Sequence, residues 1–190
     1  MRLFAAVLPS EEALRALAAE EAALRALPGA DALRWTDRPS WHLTLAFYGE
    51  ADEDTAGRLA ERLDRAARHT APFALALGGG GHFGRGRTLW TGVRGDVRAL
   101  RLLAGRAEAA GRRAGLPPGE HRPYRAHLTL ARARGPYEVR PYTEALAGFA
   151  GPAWTVTELV LMRSELPRSG VPGERPRYGT VARSALGGAG

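Results

Sequence analysis

At 190 residues, with 45% hydrophobic and 25% charged side chains, the chain has the makeup of one soluble globular domain, or of two small lobes sharing a core. It contains no cysteine and no lysine, which excludes disulfides, thiolate chemistry, a phosphate-loop lysine and a Schiff base, and no apolar run approaches the ~18 residues of a membrane span. The net charge of +7 is confined to the second half: residues 1–95 carry 12 arginines against 12 acidic residues, and residues 96–190 carry 15 against 8, a balance that suits a polyanionic partner such as nucleic acid.

Arg2 to Leu8 reads as a strand ended by Pro9, not as a signal sequence, because Glu11 and Glu12 follow at once. Ser10 suits the N-cap of a helix whose leucines keep helical spacing up to Pro28-Gly29. Leu33–Trp35 is a short extended piece, Asp37–Ser40 a turn and Trp41–Tyr48 a strand. A second helix is expected from about Asp54 to His69, then a strand over Phe73–Leu77. The glycine-rich stretch from Gly78 to Arg87 reads as a loop between two strands. Gly79, Gly81 and Gly84 match a dinucleotide-binding pattern, but the strand-like Thr88–Val93 follows where that site needs a helix, so the match is rejected. Arg85 and Arg87 remain candidates to reach nucleic-acid phosphates.

Asp96 suits the N-cap of a third helix ending near Gly115. Tyr124–Arg132 reads as a strand, Tyr142–Phe149 as a short helix, Trp154–Met162 as one strong strand, Ser164–Arg177 as a long loop and Tyr178–Ala185 as the last strand. A disordered tail is expected from about Gly187 to Gly190. Each half thus has strands around an amphipathic helix, which predicts a duplicated α+β unit within a single domain spanning 1–190.

One pentapeptide occurs in both halves: His42-Leu43-Thr44-Leu45-Ala46 and His127-Leu128-Thr129-Leu130-Ala131. In a strand, residues i and i+2 share a face, so each copy presents an imidazole beside a hydroxyl, with the leucines turned to a core. Two such pairs facing each other can hold one phosphate between two histidines. One imidazole takes a proton from water and the other gives one to the leaving oxygen, each transfer contributing ~10²–10⁴-fold. The threonine hydroxyls donate to the phosphate oxygens. Which histidine does which is open at the level of the residues. No His-x-His or His-Glu-x-x-His pattern is present, so no metal or cofactor is expected. Of the other histidines, His69 suits a helix end, and His82 and His121 are expected in exposed loops.

The copies part at the sixth position, Phe47 against Arg132. Strict alternation turns Arg132 away from His127, unless the strand ends or bulges there. Tyr124, Phe47 and Trp90 are candidates to stack on a base, with core packing the expectation for Phe47 and Trp90.

The paired His-x-Thr-x motifs resemble the 2H phosphoesterase superfamily. The chain is similar to its RNA 2′,3′-cyclic phosphodiesterases, once described as 2′-5′ RNA ligases, over Met1–Phe4, Trp41–Gly49, Pro72–Val93, Arg122–Arg132 and Val160–Leu166. The resemblance implies a bilobal, pseudo-twofold α+β fold of two intertwined lobes, with antiparallel sheets lining a central cleft and helices outside. It implies hydrolysis of RNA 2′,3′-cyclic phosphate ends to 2′-phosphomonoesters, with reversible 2′-5′ RNA ligation as an accompanying reaction. It makes His42 the proton donor and His127 the proton acceptor, with Thr44 and Thr129 holding the phosphate and Arg132 assisting; Tyr124 stands beside them as the substrate-binding residue read from its ring. The expected partner is RNA with a 2′,3′-cyclic phosphate or 2′-phosphate end, met by a cytoplasmic monomer without membrane contact. The alternatives are an RNA-end-binding module with little turnover, and the same chemistry on a small nucleotide such as ADP-ribose cyclic phosphate. Tyr48 departs from the leucine of many relatives and is expected at the cleft edge.

Overall fold

The computed structural model describes residues 1–119, 122–135, 137–167 and 174–187. His121 and most of the glycine-rich tail lie outside these. Nine strands and four α-helices are formed among the described residues: β1 (Arg2–Val7), α1 (Glu11–Arg25), β2 (Arg34–Trp35), β3 (Leu43–Glu50), α2 (Glu53–Arg68), β4 (Phe73–Phe83), β5 (Thr88–Gly95), α3 (Val97–Arg113), β6 (His127–Arg132), α4 (Arg140–Leu146), β7 (Trp154–Val156), β8 (Glu158–Glu165) and β9 (Arg177–Ala185). The caps follow their sequence signals. The side chains of Ser10, Asp52 and Asp96 accept from the backbone N–H three residues on, satisfying donors at the starts of α1, α2 and α3.

The strands form two antiparallel sheets, ordered β3-β1-β8-β9 and β2-β6-β5-β4-β7. The halves of the chain are interlaced. In the first sheet β8, from the second half, pairs with β1; in the second sheet β5, from the first half, pairs with β6. The leucines of both pentapeptides, Leu43, Leu45, Leu128 and Leu130, lie in the main core with the inward faces of α1, α2 and α3. A smaller apolar cluster of Phe4, Ala6, Val160 and Met162, with Leu8 and Tyr178 against it, covers the other face of the first sheet.

Five expectations are corrected. Gly78–Phe83 is not loop but the second half of β4, and only the tight turn Gly84–Arg87 separates it from β5. The glycines permit close packing across the sheet. A Cβ on Gly80 would lie 2.5 Å from Leu146 of α4, and one on Gly81 would run into the Trp90 indole. His82 is therefore an exposed strand residue. Trp154–Met162 is not one strand: the chain leaves the second sheet after Val156 and enters the first at Glu158. Tyr48 faces the core and not the cleft, with its hydroxyl donating to the Ala107 carbonyl at 2.8 Å. Gly111 of α3 makes room for its ring, since a Cβ there would lie 2.7 Å from it. Phe47, expected in the core, is 53% exposed.

Candidate active site

Both histidines line one cavity of about 470 Å³, together with Thr44, Thr129, Arg132, Arg34, Trp35, Asp37, Arg175 and Tyr178. That volume is within the usual range for small-ligand sites. The two pentapeptides therefore converge, and their strands β3 and β6 lie against each other at the meeting of the two sheets.

The same backbone irregularity shapes both copies. Ala5 pairs with Ala46 and Ala6 with Thr44, so Leu45 is an extra residue in β3. Leu89 pairs with Ala131 and Trp90 with Thr129, so Leu130 is an extra residue in β6. Each is a β-bulge at the fourth letter of the motif. A bulge shifts the alternation of every later side chain by one. In β6 this buries both Leu130 and Ala131 and returns Arg132 to the face of His127 and Thr129. In β3 it returns Phe47 to the corresponding face, exposed and with the Arg2 guanidinium 5.5 Å from its ring centroid.

Each imidazole is tethered by a backbone carbonyl two residues upstream. His42 hydrogen-bonds to the Ser40 backbone, and His127 Nδ1 lies 2.7 Å from the Arg125 carbonyl oxygen. A carbonyl only accepts, so Nδ1 of His127 carries the hydrogen and Nε2 is left for substrate. Aromatic rings fix the orientations. His42 lies between Phe4 at 4.8 Å and Tyr178 at 5.5 Å, and His127 between Phe83 at 4.9 Å and Trp90 at 6.1 Å, centroid to centroid. Trp90 reaches this position because Gly81 leaves the strand surface beneath it bare.

Burial lowers the pKa of both histidines, since a desolvated imidazole resists charge. His42 is pushed down to about 4, with further lowering from His127 and Arg132 and an opposing pull from the Ser40 carbonyl. His127 is lowered by burial and by Arg132, against the pull of the Arg125 carbonyl. The empty site thus holds two largely neutral imidazoles beside a permanent cation, an arrangement that favours an anion.

Tyr124 does not line the cavity. Its hydroxyl donates to the backbone carbonyl of Thr44 at 2.9 Å, tying the approach to β6 onto β3. Arg85 lies outside the histidine cleft too, beside His82, Tyr137 and Arg140 in a separate groove near α4. Sequence reasoning missed Arg34, Ser40, Tyr178 and the aromatic supports, because none repeats between the halves. Among the described residues no group of three His, Asp or Glu could hold a metal, and no helix is long and apolar enough to cross a membrane.

The family model described as the 2′-5′ RNA ligase superfamily matches residues 9–168. A Thermus thermophilus RNA 2′,3′-cyclic phosphodiesterase is 35% identical over 200 residues, covering 93% of this chain and 98% of that protein. A Geobacillus stearothermophilus protein of the same name is 31% identical over 162 residues, which take in 82% of this chain but only 48% of that relative. The crystal structure of E. coli LigT in apo form superimposes with a TM-score of 0.77 at 28% identity, covering 98% of each chain. With most of its length matched by the family model, the chain belongs to the 2′-5′ RNA ligase superfamily.

Proposed function

We propose that the protein hydrolyses RNA 2′,3′-cyclic phosphate ends to 2′-phosphomonoesters, with no metal. Relatives named RNA 2′,3′-cyclic phosphodiesterase that cover 93% and 76% of this chain support the cyclic phosphodiesterase activity. The observation that carries the mechanism is the convergence of His42, Thr44, His127, Thr129 and Arg132 on one cavity, with each imidazole tethered by a main-chain carbonyl.

The cyclic phosphate sits between the histidines. Thr44 and Thr129 donate to its non-bridging oxygens, and Arg132 balances its charge. His127, with Nε2 free, takes the proton from water as it attacks phosphorus. His42 donates to the departing 3′ oxygen. His42 must be protonated for this step, yet burial and Arg132 hold it neutral in the empty site. The substrate anion supplies the missing field: a negative phosphate beside the imidazole offsets Arg132 and lifts the pKa of His42 on binding. The exposed ring of Phe47, on the same face as Thr44, is placed to stack a base. Ligation of 2′-5′ ends is the same step with the 5′-hydroxyl of a second RNA in place of water: His127 takes its proton as it attacks phosphorus, and the 3′ oxygen leaves with a proton from His42.

The test is incubation of an oligoribonucleotide ending in 2′,3′-cyclic phosphate in excess EDTA. A 2′-phosphate product is expected at an undiminished rate. Loss of activity on chelation, tight binding without turnover, or a 3′-phosphate product would each overturn part of the reading: the metal-free chemistry, the enzyme, and the assigned leaving group in turn.

A further inference from the structure

Beside Arg132 in the cleft stands a second arginine that the two-histidine mechanism does not use. Arg34 on β2 is the direct cross-strand partner of Arg132 on β6, and the next pair, Trp35 with Ala131, turns into the core. Directly opposed residues share a face with their Cβ atoms about 4.5–5.5 Å apart, and like charges so placed repel. Neither arginine side chain makes a hydrogen bond or an ion pair among the described residues, and both are exposed to the cavity. The acids of the cavity do not relieve them: Asp37 is ion-paired to Arg175, and Glu174 is also engaged. On the other side of Arg132 its ladder partner is Thr88, whose hydroxyl side chain extends the same row. An edge strand is commonly protected by a charged side chain, but an acid at position 34 would serve that purpose and pair with Arg132. The observed arrangement instead concentrates unneutralised positive charge at one edge of the cleft.

We propose that Arg34 is the seat of a second phosphate, the one on the 5′ side of the reacting nucleotide in an RNA chain. The inference rests on the phosphodiesterase reading above and names its substrate class: a polynucleotide end in preference to a free nucleoside cyclic phosphate. Arg132 lies between the two phosphates, so the arginine pair is repulsive when empty and satisfied when two successive phosphates lie across it. Guanidinium groups suit this role because each presents a planar fork of donors to phosphate oxygens.

The experiment compares wild type and Arg34→Gln on three substrates: a nucleoside 2′,3′-cyclic phosphate, the same compound with a 5′-phosphate, and a dinucleotide ending in 2′,3′-cyclic phosphate. Wild type is expected to favour the dinucleotide over the nucleoside compound in kcat/KM, and Arg34→Gln to reduce that ratio about tenfold, chiefly through KM. The salt dependence of log kcat/KM on the dinucleotide should flatten by about 0.7, the value of one contact to a single-strand phosphate. The thermal midpoint should not fall, because one of two facing like charges has been removed. Loss on the dinucleotide alone supports a subsite for a chain phosphate, and loss on both 5′-phosphorylated compounds supports one that takes any 5′-phosphate. An unchanged ratio, or an equal loss on all three substrates with a lowered midpoint, overturns the proposal. If wild type leaves all three substrates intact, it is the phosphodiesterase reading itself that fails.

Discussion

The two half-sites share a sequence and a backbone, and differ in what surrounds them. In both, a bulge at the fourth residue of the pentapeptide returns the sixth to the face of the histidine, and in both a carbonyl two residues upstream holds the imidazole. One copy lies on β3, the outermost strand of its sheet; the other lies on β6, covered by β2. The first ends in an exposed phenylalanine and the second in an arginine. The duplicated part is therefore the backbone device, which sets direction and spacing, whereas the charge is single. A symmetric scaffold with one cation makes the two histidines unequal, and acid-base catalysis on one phosphorus needs such a difference.

The largest effect comes from removing either half-site. His42→Ala and His127→Ala should each lower kcat about 10²–10⁴-fold. The double variant should fall little further, because the two act on one transition state. Steady-state rates on a cyclic-phosphate oligonucleotide measure this. Near-normal activity in either single variant would sink the two-histidine mechanism, and a strictly multiplicative double variant would mean that the copies work independently.

How much of this contrast was legible in the sequence is clear from particular residues. The motif histidines, the caps and the alternation of β3 as far as Leu45 follow from local rules: spacing, N-cap chemistry and period. Arg132 was ambiguous because a one-residue bulge reverses a face, and nothing in the string Leu-Thr-Leu-Ala-Arg announces a bulge. The glycine run read as loop because four consecutive glycines carry no side-chain pattern. Their role lies in what packs over them, Leu146 and Trp90, which are far along the chain or across the sheet. Trp154–Met162 read as one strand because Val156 and Glu158 keep the extended conformation while changing sheets. Tyr48 and Phe47 were transposed between core and surface by the bulge at Leu45, which shifts the later side chains of β3 by one. Long-range register, not local propensity, decided each of these.

A moderate effect sharpens the charge difference. Arg132→Gln should reduce kcat/KM about 10–100-fold, the size expected for a lost charge-assisted hydrogen bond to phosphate. It should also move the pH dependence. Arg132 lowers the pKa of both histidines, so removing it raises both. The productive free enzyme has one imidazole protonated and one neutral, a state populated between the two apparent pKa values. Wild-type kcat/KM is therefore expected to peak on the acid side of 6.5 and to decline above it. The peak should move upward in pH in Arg132→Gln. The kcat profile, which reports the substrate-bound form, should lie at higher pH than that of kcat/KM in wild type. Superimposable kcat/KM profiles for wild type and Arg132→Gln would place Arg132 too far from the imidazoles to set their charge.

The smallest effect concerns the link between the half-sites. The Tyr124 hydroxyl reaches the Thr44 carbonyl across 80 residues of sequence, three positions before His127. Burial pushes its pKa up, so it stays a protonated donor throughout the working range of the histidines. β3 pairs with β1 on one side only, and this hydroxyl satisfies the Thr44 carbonyl from the second half of the chain. Tyr124→Phe keeps the ring and its packing and removes the tether alone. Loss of one such bond should cost about 1 kcal/mol of stability, read as a small fall in the thermal midpoint. If the bond serves only the fold, kinetics at a temperature well below that midpoint should match wild type. If it holds the two histidines at a fixed separation across one phosphorus, kcat should drop severalfold with KM nearly constant, because each half-site still grips phosphate while the in-line geometry loosens. The second outcome is expected, since the bond joins the backbone of Thr44 directly to the segment that carries His127.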